Sequence, residues 1–468
     1  MHFLVPNGDC LPSEALSRGY YSSREETPQR SLLEATAEGF DLHREDTESL
    51  TLTILWNTQH YGPLALTTGT LMDRERPYLL PVELARGTLN RMRNQAALWS
   101  WAGMKISDDF LAAQKEAIRL FSHAAINQHA ARKAADLAEQ SIDATLLAAH
   151  HLAQAYARQA ADSRNRLTPR MAILQGARLD QNVPIDPGFE LLIEASNTVC
   201  VPFSWKQIEV NQKSRNWELC DAQVAWCQAH RMRVLCGPLL NLHAGQTPAW
   251  LRRDLPFDEL LDQATEFLQA AVQRYRGHVH LWQCAAAINC GTALDLNEEQ
   301  RLRLAVKAIE VVRAADPRAP VVISFAQPWG EYLRDESYEL SPIHFADALS
   351  RGDLGLSGIG LEIDLGLSSG QTLPRDPLEF SRQLDRWSSL NLPLLIFLTV
   401  PSDSSGFTLQ SQADWVENYV PVLLGKQAVQ AILWTQLQDL ESNASDRGLF
   451  DSIGAAKPAL EALTGLRR

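Results

Sequence analysis

Short apolar runs alternate with amphipathic, helix-sized stretches over the last 300 residues of the chain. Eight runs have the length of buried strands: Met171–Gln175, Thr198–Pro202, Arg233–Leu240, His278–Cys284, Pro320–Phe325, Gly358–Leu365, Leu392–Val400 and Ala431–Leu437. Eight strands that alternate with helices over this length are what a (β/α)8 barrel requires. The pattern therefore predicts an α/β fold with a TIM barrel over residues 166–468.

The first 165 residues show two other patterns. Residues 50–56 and 64–68 place Thr and bulky apolar residues at period two between Gly and Pro, which predicts a small antiparallel β unit. Stretches rich in Ala, Leu, Gln, Arg and Glu predict long helices over 82–101, 108–126 and 130–161. Ser107, directly before two aspartates, is a suitable N-cap for the second helix. We expect a β-rich unit over 1–80, with carbohydrate binding as its candidate role, and a helical connector over 81–165, folded as a hairpin or a three-helix arm.

Composition and charge exclude several classes of function. The net charge is −13 without a basic stripe, which makes the chain a poor partner for nucleic acid. No apolar run is long enough to span a membrane. Residues 1–6 show no signal-peptide pattern, so the cytoplasm is the default location, with export left open. The seven cysteines form no C-x-x-C pair, and no nucleotide-loop, H-E-x-x-H or G-x-S-x-G motif is present. We therefore expect no metal and no cofactor.

Several segments of the barrel region resemble one family. Cys236 to Leu251 reads CGPLLNLHAGQTPAWL, which is similar to the G-H-T-L-V-W-H…Q-x-P-x-W-L stretch of family 10 glycoside hydrolases, the β-1,4-xylanases. Residues 201–229 resemble that family's second strand and the helix after it. WTQLQD from Trp434, GLFD from Gly448 and KPA from Lys457 resemble its closing W-G-x-x-D…L-x-F-D…K-P-A. The resemblance covers residues 171–463 and implies a xylanase-like barrel.

The resemblance breaks where the family carries its catalytic carboxylates. The family's W-D-V-V-N-E corresponds to the segment WQCAAA from Trp282, so the acid/base Glu aligns with Ala287. The family's I-T-E-L-D corresponds to IFLTV, which puts Leu398 at the nucleophile position. A retaining glycosidase needs two carboxylates about 5–5.5 Å apart. The resemblance thus implies that this chain has lost the usual catalytic pair.

Other acids fall near the predicted mouth. In the run Gly358–Leu365, Glu362 and Asp364 alternate with aliphatic residues, so both should point into the barrel. Glu331 follows the fifth strand of the barrel and is a third candidate. These acids are either catalytic candidates or partners of lumen Arg and Lys residues. The candidate sugar-binding residues are His243, Gln246, Trp282, Gln327, Trp329 and Trp434, because indole rings can stack on sugars and amide and imidazole groups can hydrogen-bond them.

Three functions remain open at this stage. The first is a carbohydrate-directed protein that binds an oligosaccharide or polysaccharide with the catalytic pair lost. The second is an active glycoside hydrolase with a relocated site at Glu331, Glu362 and Asp364. The third is a structural or assembly protein in which the helical region joins copies of the chain into a homo-oligomer. Sugar-induced stabilisation separates the first two functions from the third.

Overall fold

Eight parallel strands close into a barrel in the computed structural model, which describes residues 1–23, 26–44, 47–167, 173–180, 190–334, 339–403, 407–439 and 446–467. The barrel strands are β9 Leu174–Arg178, β10 Thr198–Val201, β11 Arg233–Cys236, β13 Leu281–Ala286, β14 Val321–Ala326, β15 Gly358–Asp364, β16 Leu394–Thr399 and β17 Val429–Trp434. Neighbours along the chain pair in parallel, and β17 pairs with β9 to close the ring. The predicted (β/α)8 barrel is confirmed.

Two strand predictions differ from the structure. The first barrel strand ends at Arg178 rather than Gln175, while Met171, its predicted start, lies outside the described residues. The third predicted strand is interrupted, because Pro238 lacks the N–H group that a ladder needs. It continues as the short strand β12 Leu240–Asn241, which also pairs with β13.

Helices lie outside the barrel and cover its apolar outer face. They are α5 Glu190–Ala195, α6 Trp205–Ile208, α7 Glu218–Ala229, α8 Phe257–Tyr275, α9 Glu298–Ala315, α10 Pro342–Arg351, α11 Pro377–Ser388, α12 Leu409–Gly425 and α13 Pro458–Arg467. Outward residues of each strand join the core between strands and helices. A smaller cluster, which includes Leu235, Leu395 and Phe397, fills the barrel interior below the mouth. Such alternation is what a closed barrel imposes on its strands.

The N-terminal part forms two four-stranded sheets, as the period-two pattern predicted. The strands are β1 His2–Leu4, β2 Tyr20–Ser22, β3 Pro28–Gln29, β4 Leu32–Thr36, β5 Gly39–His43, β6 Thr51–Thr58, β7 Gly62–Thr67 and β8 Tyr78–Leu79, with helix α1 at Ala15–Arg18. One sheet has the order β4-β5-β1-β8 and the other β3-β2-β6-β7. Phe3, Phe40 and Trp56 are fully buried in the core that the two sheets share.

Three long helices follow: α2 Leu80–Trp101, α3 Asp108–Ile126 and α4 Ala131–Leu167. Ser107 caps α3 by accepting a hydrogen bond from the N–H of Phe110, as predicted. The helices pack on the barrel rather than extending from it as an arm. Tyr156 of α4 donates to the carbonyl oxygen of Gly425 at 3.2 Å, and Leu378 of α11 joins the helical core. The three-unit division and self-association through these helices stay predictions.

Within the described residues, no helix is both long and apolar enough to cross a membrane.

Candidate functional site

Strand β15 carries two acidic residues to the C-terminal mouth of the barrel. Ile359, Leu361 and Ile363 enter the core beneath the helices, and the residues between them face the barrel axis. Glu362 and Asp364 are the last two axis-facing residues of this strand. Active sites of (β/α)8 barrels are built at this end. The two carboxylates therefore occupy the place where a functional site is expected.

Three donors hold the Glu362 carboxylate in one orientation. Its Oε2 lies 2.6 Å from Nε2 of His243, while Oε1 accepts from the Ser324 hydroxyl at 2.5 Å and the Ala287 N–H at 2.8 Å. Burial alone would raise the pKa of Glu362, but His243 and these hydrogen bonds lower it below its usual value. Glu362 is therefore an ionised acceptor at neutral pH.

His243 connects this buried carboxylate to solvent. It lies just after β12, and its side chain is 49% exposed, against 14% for Glu362. Burial opposes the charged imidazolium, yet the neighbouring Glu362 carboxylate outweighs it and raises the pKa of His243. The imidazole is therefore a half-exposed hydrogen-bond donor at the mouth, and the raised pKa favours its protonated form.

Asp364 sits in a different electrostatic environment from Glu362. It pairs with the guanidinium of Arg447. The backbone carbonyl oxygen of Arg447 in turn accepts a hydrogen bond from the indole N–H of Trp434 at 2.8 Å. Burial raises the pKa of Asp364 although Arg447 acts in the opposite direction, and the charge of Glu362 adds to the rise. The pKa values of the two acids of β15 are thus shifted in opposite directions, that of Glu362 downward and that of Asp364 upward. Opposite shifts in neighbouring carboxyl groups are the arrangement that acid/base chemistry uses.

A polar chain supports Glu362 from below. Arg178 at the end of β9 donates to Oε1 of Gln283 at 3.3 Å, and Gln283 donates to the Ser324 hydroxyl at 2.7 Å. These three side chains were missed at the sequence level. Ser324 and Gln283 could have been found from the alternation of their strands, since each stands between apolar neighbours. Arg178 lies beyond the predicted end of its strand.

Asp180 is a further acid at the mouth that the sequence did not single out. It lies two residues past β9 and accepts the backbone N–H of Gln438 at 2.9 Å. Burial raises the pKa of Asp180 to about 6, against the effect of this hydrogen bond. It can therefore change its protonation near physiological pH.

Glu331 is not brought together with the other two candidates. Its carboxylate is fully buried and lies 2.6 Å from the guanidinium of Arg375, which also donates to the Tyr20 hydroxyl at 3.0 Å. The expected group of three acids is corrected to two, because Glu331 faces the N-terminal sheets and not the mouth.

The three tryptophans expected to stack on sugar are buried instead. Trp282, Trp329 and Trp434 are 0%, 4% and 2% exposed. Trp282 donates to Asp316, which precedes the next strand at the closed end of the barrel, and Trp434 belongs to the outward-facing core. None of these rings presents an open face for a sugar in this conformation.

The two remaining candidates, both glutamines, are accessible. Gln246 is exposed on the loop after His243, and its backbone N–H bonds to the carbonyl oxygen of His243 at 3.1 Å. Gln327 is half-buried next to Cys290 at the end of β14. Gln327 and Ala287 both adopt positive φ, 47° and 50°. In Ala287 this strained conformation accompanies the N–H contact to Glu362.

No protein-family model matches this chain, and no curated protein does so either. Solved structures do match its shape. Xylanase 10B of Thermotoga petrophila in complex with xylobiose aligns with a TM-score of 0.50 and 19% identity, over 65% of this chain and 96% of the xylanase. Native xylanase 10B of Thermotoga maritima gives the same score and identity over 65% and 97%. A family 10 structure from Paenibacillus barcinonensis aligns at 0.50 and 18% identity over 63% and 94%.

The barrel has the family 10 xylanase fold. In this xylanase-like barrel, the positions that the sequence resemblance assigns to the catalytic pair are both buried and apolar. Ala287 is 0% exposed, and Leu398 is 0% exposed within the outward-facing core. The inward-facing neighbours of Leu398 are Phe397 and Thr399, so strand β16 offers no carboxylate on either face. Within the described residues, no group of three His, Cys, Asp or Glu side chains could hold a metal ion.

Proposed function

We propose that the barrel mouth binds an oligosaccharide and does not hydrolyse it by the retaining mechanism. The observation that carries this proposal is the state of Glu362. Its lowered pKa leaves no proton to donate to a leaving group, so Glu362 does not suit the role of the acid in a retaining pair. As a nucleophile it would lack the usual partner, because the positions that the resemblance assigns to the catalytic pair hold Ala287 and Leu398.

Binding is supported by the polar groups at the mouth. His243 and Arg447 supply hydrogen-bond donors, while Asp364, 38% exposed, supplies acceptors. A sugar hydroxyl can both donate and accept, so such a mixed set suits it. Xylobiose is the ligand bound to the Thermotoga petrophila xylanase. It is therefore the first ligand to test here.

An active hydrolase with a relocated site is the second candidate, and one observation favours it. The pKa values of Asp364 and Glu362 are shifted in opposite directions on one strand. A protonated Asp364 beside an ionised Glu362 would supply an acid and a base. The pairing of Asp364 with Arg447 opposes this role, since it favours the ionised form.

The cytoplasm is the compartment we propose. All seven cysteines are free, and six of them are buried. Reduced thiols are usual in that compartment. We also retain the proposal that the N-terminal sheets contribute to carbohydrate binding.

Calorimetry with xylobiose and longer xylo-oligosaccharides, together with an assay for released reducing sugar, tests the proposal. We expect binding without turnover. His243→Ala should weaken binding about tenfold, because a hydrogen bond to a charged group contributes ~1.5 kcal/mol. His344→Ala, an exposed histidine on α10, is the matched control and should bind as the wild type does. Turnover that is abolished by Glu362→Gln or Asp364→Asn would establish the hydrolase instead.

A further inference from the structure

A cleft of about 560 Å³ lies where the sheet β3-β2-β6-β7, helix α2 and helix α11 meet. Its volume is in the range of sites for small molecules. None of the mouth residues described above lines it. The cleft is therefore a separate candidate site, built from the N-terminal part and the outer layer of the barrel together.

Hydroxyl and amide groups line two sides of the cleft. Thr51, Thr53 and Thr67 face it from the sheet, while Asn90 and Asn94 face it from α2, one helical turn apart. Hydroxyl groups donate and accept, and amides carry both functions on one side chain. A ligand with many hydroxyl groups would find complementary partners on both sides.

Charged residues of both signs also line the cleft, with arginines in excess: Arg91, Arg375, Arg382 and Arg386 against Glu26 and Glu379. Arg382 and Arg386 stand one turn apart on α11, and Arg382 is committed to carboxylates of Glu379 and Glu26 at 2.8 and 3.2 Å. Arg386 is 28% exposed, and its approach to Glu26, at 3.7 Å, is too long for a hydrogen bond. Within the described residues its side chain makes no hydrogen bond. A guanidinium fork with free donors fits a carboxylate or a phosphate.

In the part of the chain that the structure describes, a buried indole N–H without a hydrogen-bond partner belongs to one of the residues that line the cleft. Trp329 lines the cleft and is 4% exposed, and its indole N–H has no hydrogen-bond partner among the described residues. Buried N–H groups are nearly always paired in native proteins. A ligand in the cleft would give this N–H an acceptor.

We propose that this cleft binds a polyhydroxylated anion, a sugar that carries one carboxylate or one phosphate group. Arg386 binds the anionic group, and the Thr and Asn side chains bind the hydroxyls. The proposal is independent of the function of the barrel mouth, because different residues form the two sites.

Calorimetry on the whole 468-residue chain at low salt, with glucuronate, glucose 6-phosphate and neutral glucose as probes, tests the proposal. At least one anion should bind ten times more tightly than glucose, and the tighter one identifies the anionic group. Arg386→Gln should weaken that binding at least tenfold. Asn94→Trp, which fills the cleft from an exposed helix position, should abolish it.

Two control variants show whether the anion binds in the cleft or elsewhere on the surface. Arg351→Gln removes an arginine of α10 that is 79% exposed, and His243→Ala alters only the mouth. Both should leave anion binding unchanged. The proposal is overturned if neither anion binds, if glucose binds as tightly, or if binding survives both Arg386→Gln and Asn94→Trp.

Discussion

Two buried carboxylates of this molecule each lie 2.6 Å from a basic side chain, yet their surroundings differ. Glu331 and Arg375 are 0% and 2% exposed, enclosed between the N-terminal sheets and the barrel. Glu362 and His243 are 14% and 49% exposed at the mouth. The first pair is almost fully enclosed, although Arg375 is among the residues that line the cleft, whereas the second pair presents its imidazole to solvent. The solvent exposure of the basic side chain, more than the ion pair itself, distinguishes a structural contact from a candidate site.

The largest effect is expected at the enclosed pair. Glu331→Gln leaves the Arg375 guanidinium buried without its counter-charge, so the free energy of unfolding should fall by about 3–5 kcal/mol. Urea denaturation measures this change. The double variant Glu331→Gln/Arg375→Met should recover part of the loss, because it removes both charges. A single variant as stable as the wild type would mean that this pair is no more structural than the one at the mouth.

A smaller loss of stability is expected for Glu362→Gln. The amide oxygen can still accept from Ser324 and Ala287, and only the charge opposite the half-exposed His243 is lost. We expect ~1.5–3 kcal/mol in the same denaturation experiment, the range for a hydrogen bond that involves a charged group. Sugar binding should weaken in parallel, since His243 loses its orientation. Glu209→Gln, which disrupts a buried pair with Arg215 at 2.8 Å, is a comparison outside the mouth and should leave sugar binding unchanged.

The smallest effect is a dependence on pH. The folded pKa of His243 is raised above 6.5, so its contribution to stability is complete below pH 6.5 and is lost as the pH rises through the folded pKa. The folded pKa of Glu362 is lowered below 4.5, so its contribution is present above pH 4.5 and is lost as the pH falls through the folded value. The pair stabilises most between these limits.

NMR titration of the His243 ring checks this directly. In Glu362→Gln its pKa should fall toward or below 6.5, because the charge that raises it is gone while burial remains. The pKa of Asp364 should also fall in this variant, because the charge of Glu362 contributes to its upward shift. An unchanged His243 pKa in the variant would show that Glu362 does not control the imidazole.

The fold was predictable because its signals are repeated along the chain. Eight apolar runs and the spacing between them suffice for a barrel, and an error of three residues in β9 does not alter the topology. The acids of β15 were found for the same reason: alternation within one strand determines which side chains face the axis.

The rest of the site depends on contacts between distant segments. Arg447 reaches Asp364 from a loop 83 residues later, and no local pattern marks it. The burial of the three tryptophan rings could not be predicted for a related reason. Trp434 faces outward while its neighbour Leu433 lines the barrel interior. A resemblance in sequence does not show which residues of a strand face inward and which face outward.

The contact between the N-terminal part and the barrel has a consequence for how the chain is made. Arg18 donates to the carbonyl oxygens of Leu367 and Gln371, in the loop after β15, and Gln371 is 353 residues further along the chain. At about 5–20 residues per second, the ribosome needs on the order of 20 to 70 seconds to add that stretch. Once residues 1–79 have been made, the N-terminal sheets lack the loop that they bind until that loop is synthesised. Leu373 of that loop is buried in the N-terminal core, so the core of these sheets is completed only after a segment about 300 residues further along the chain has been made.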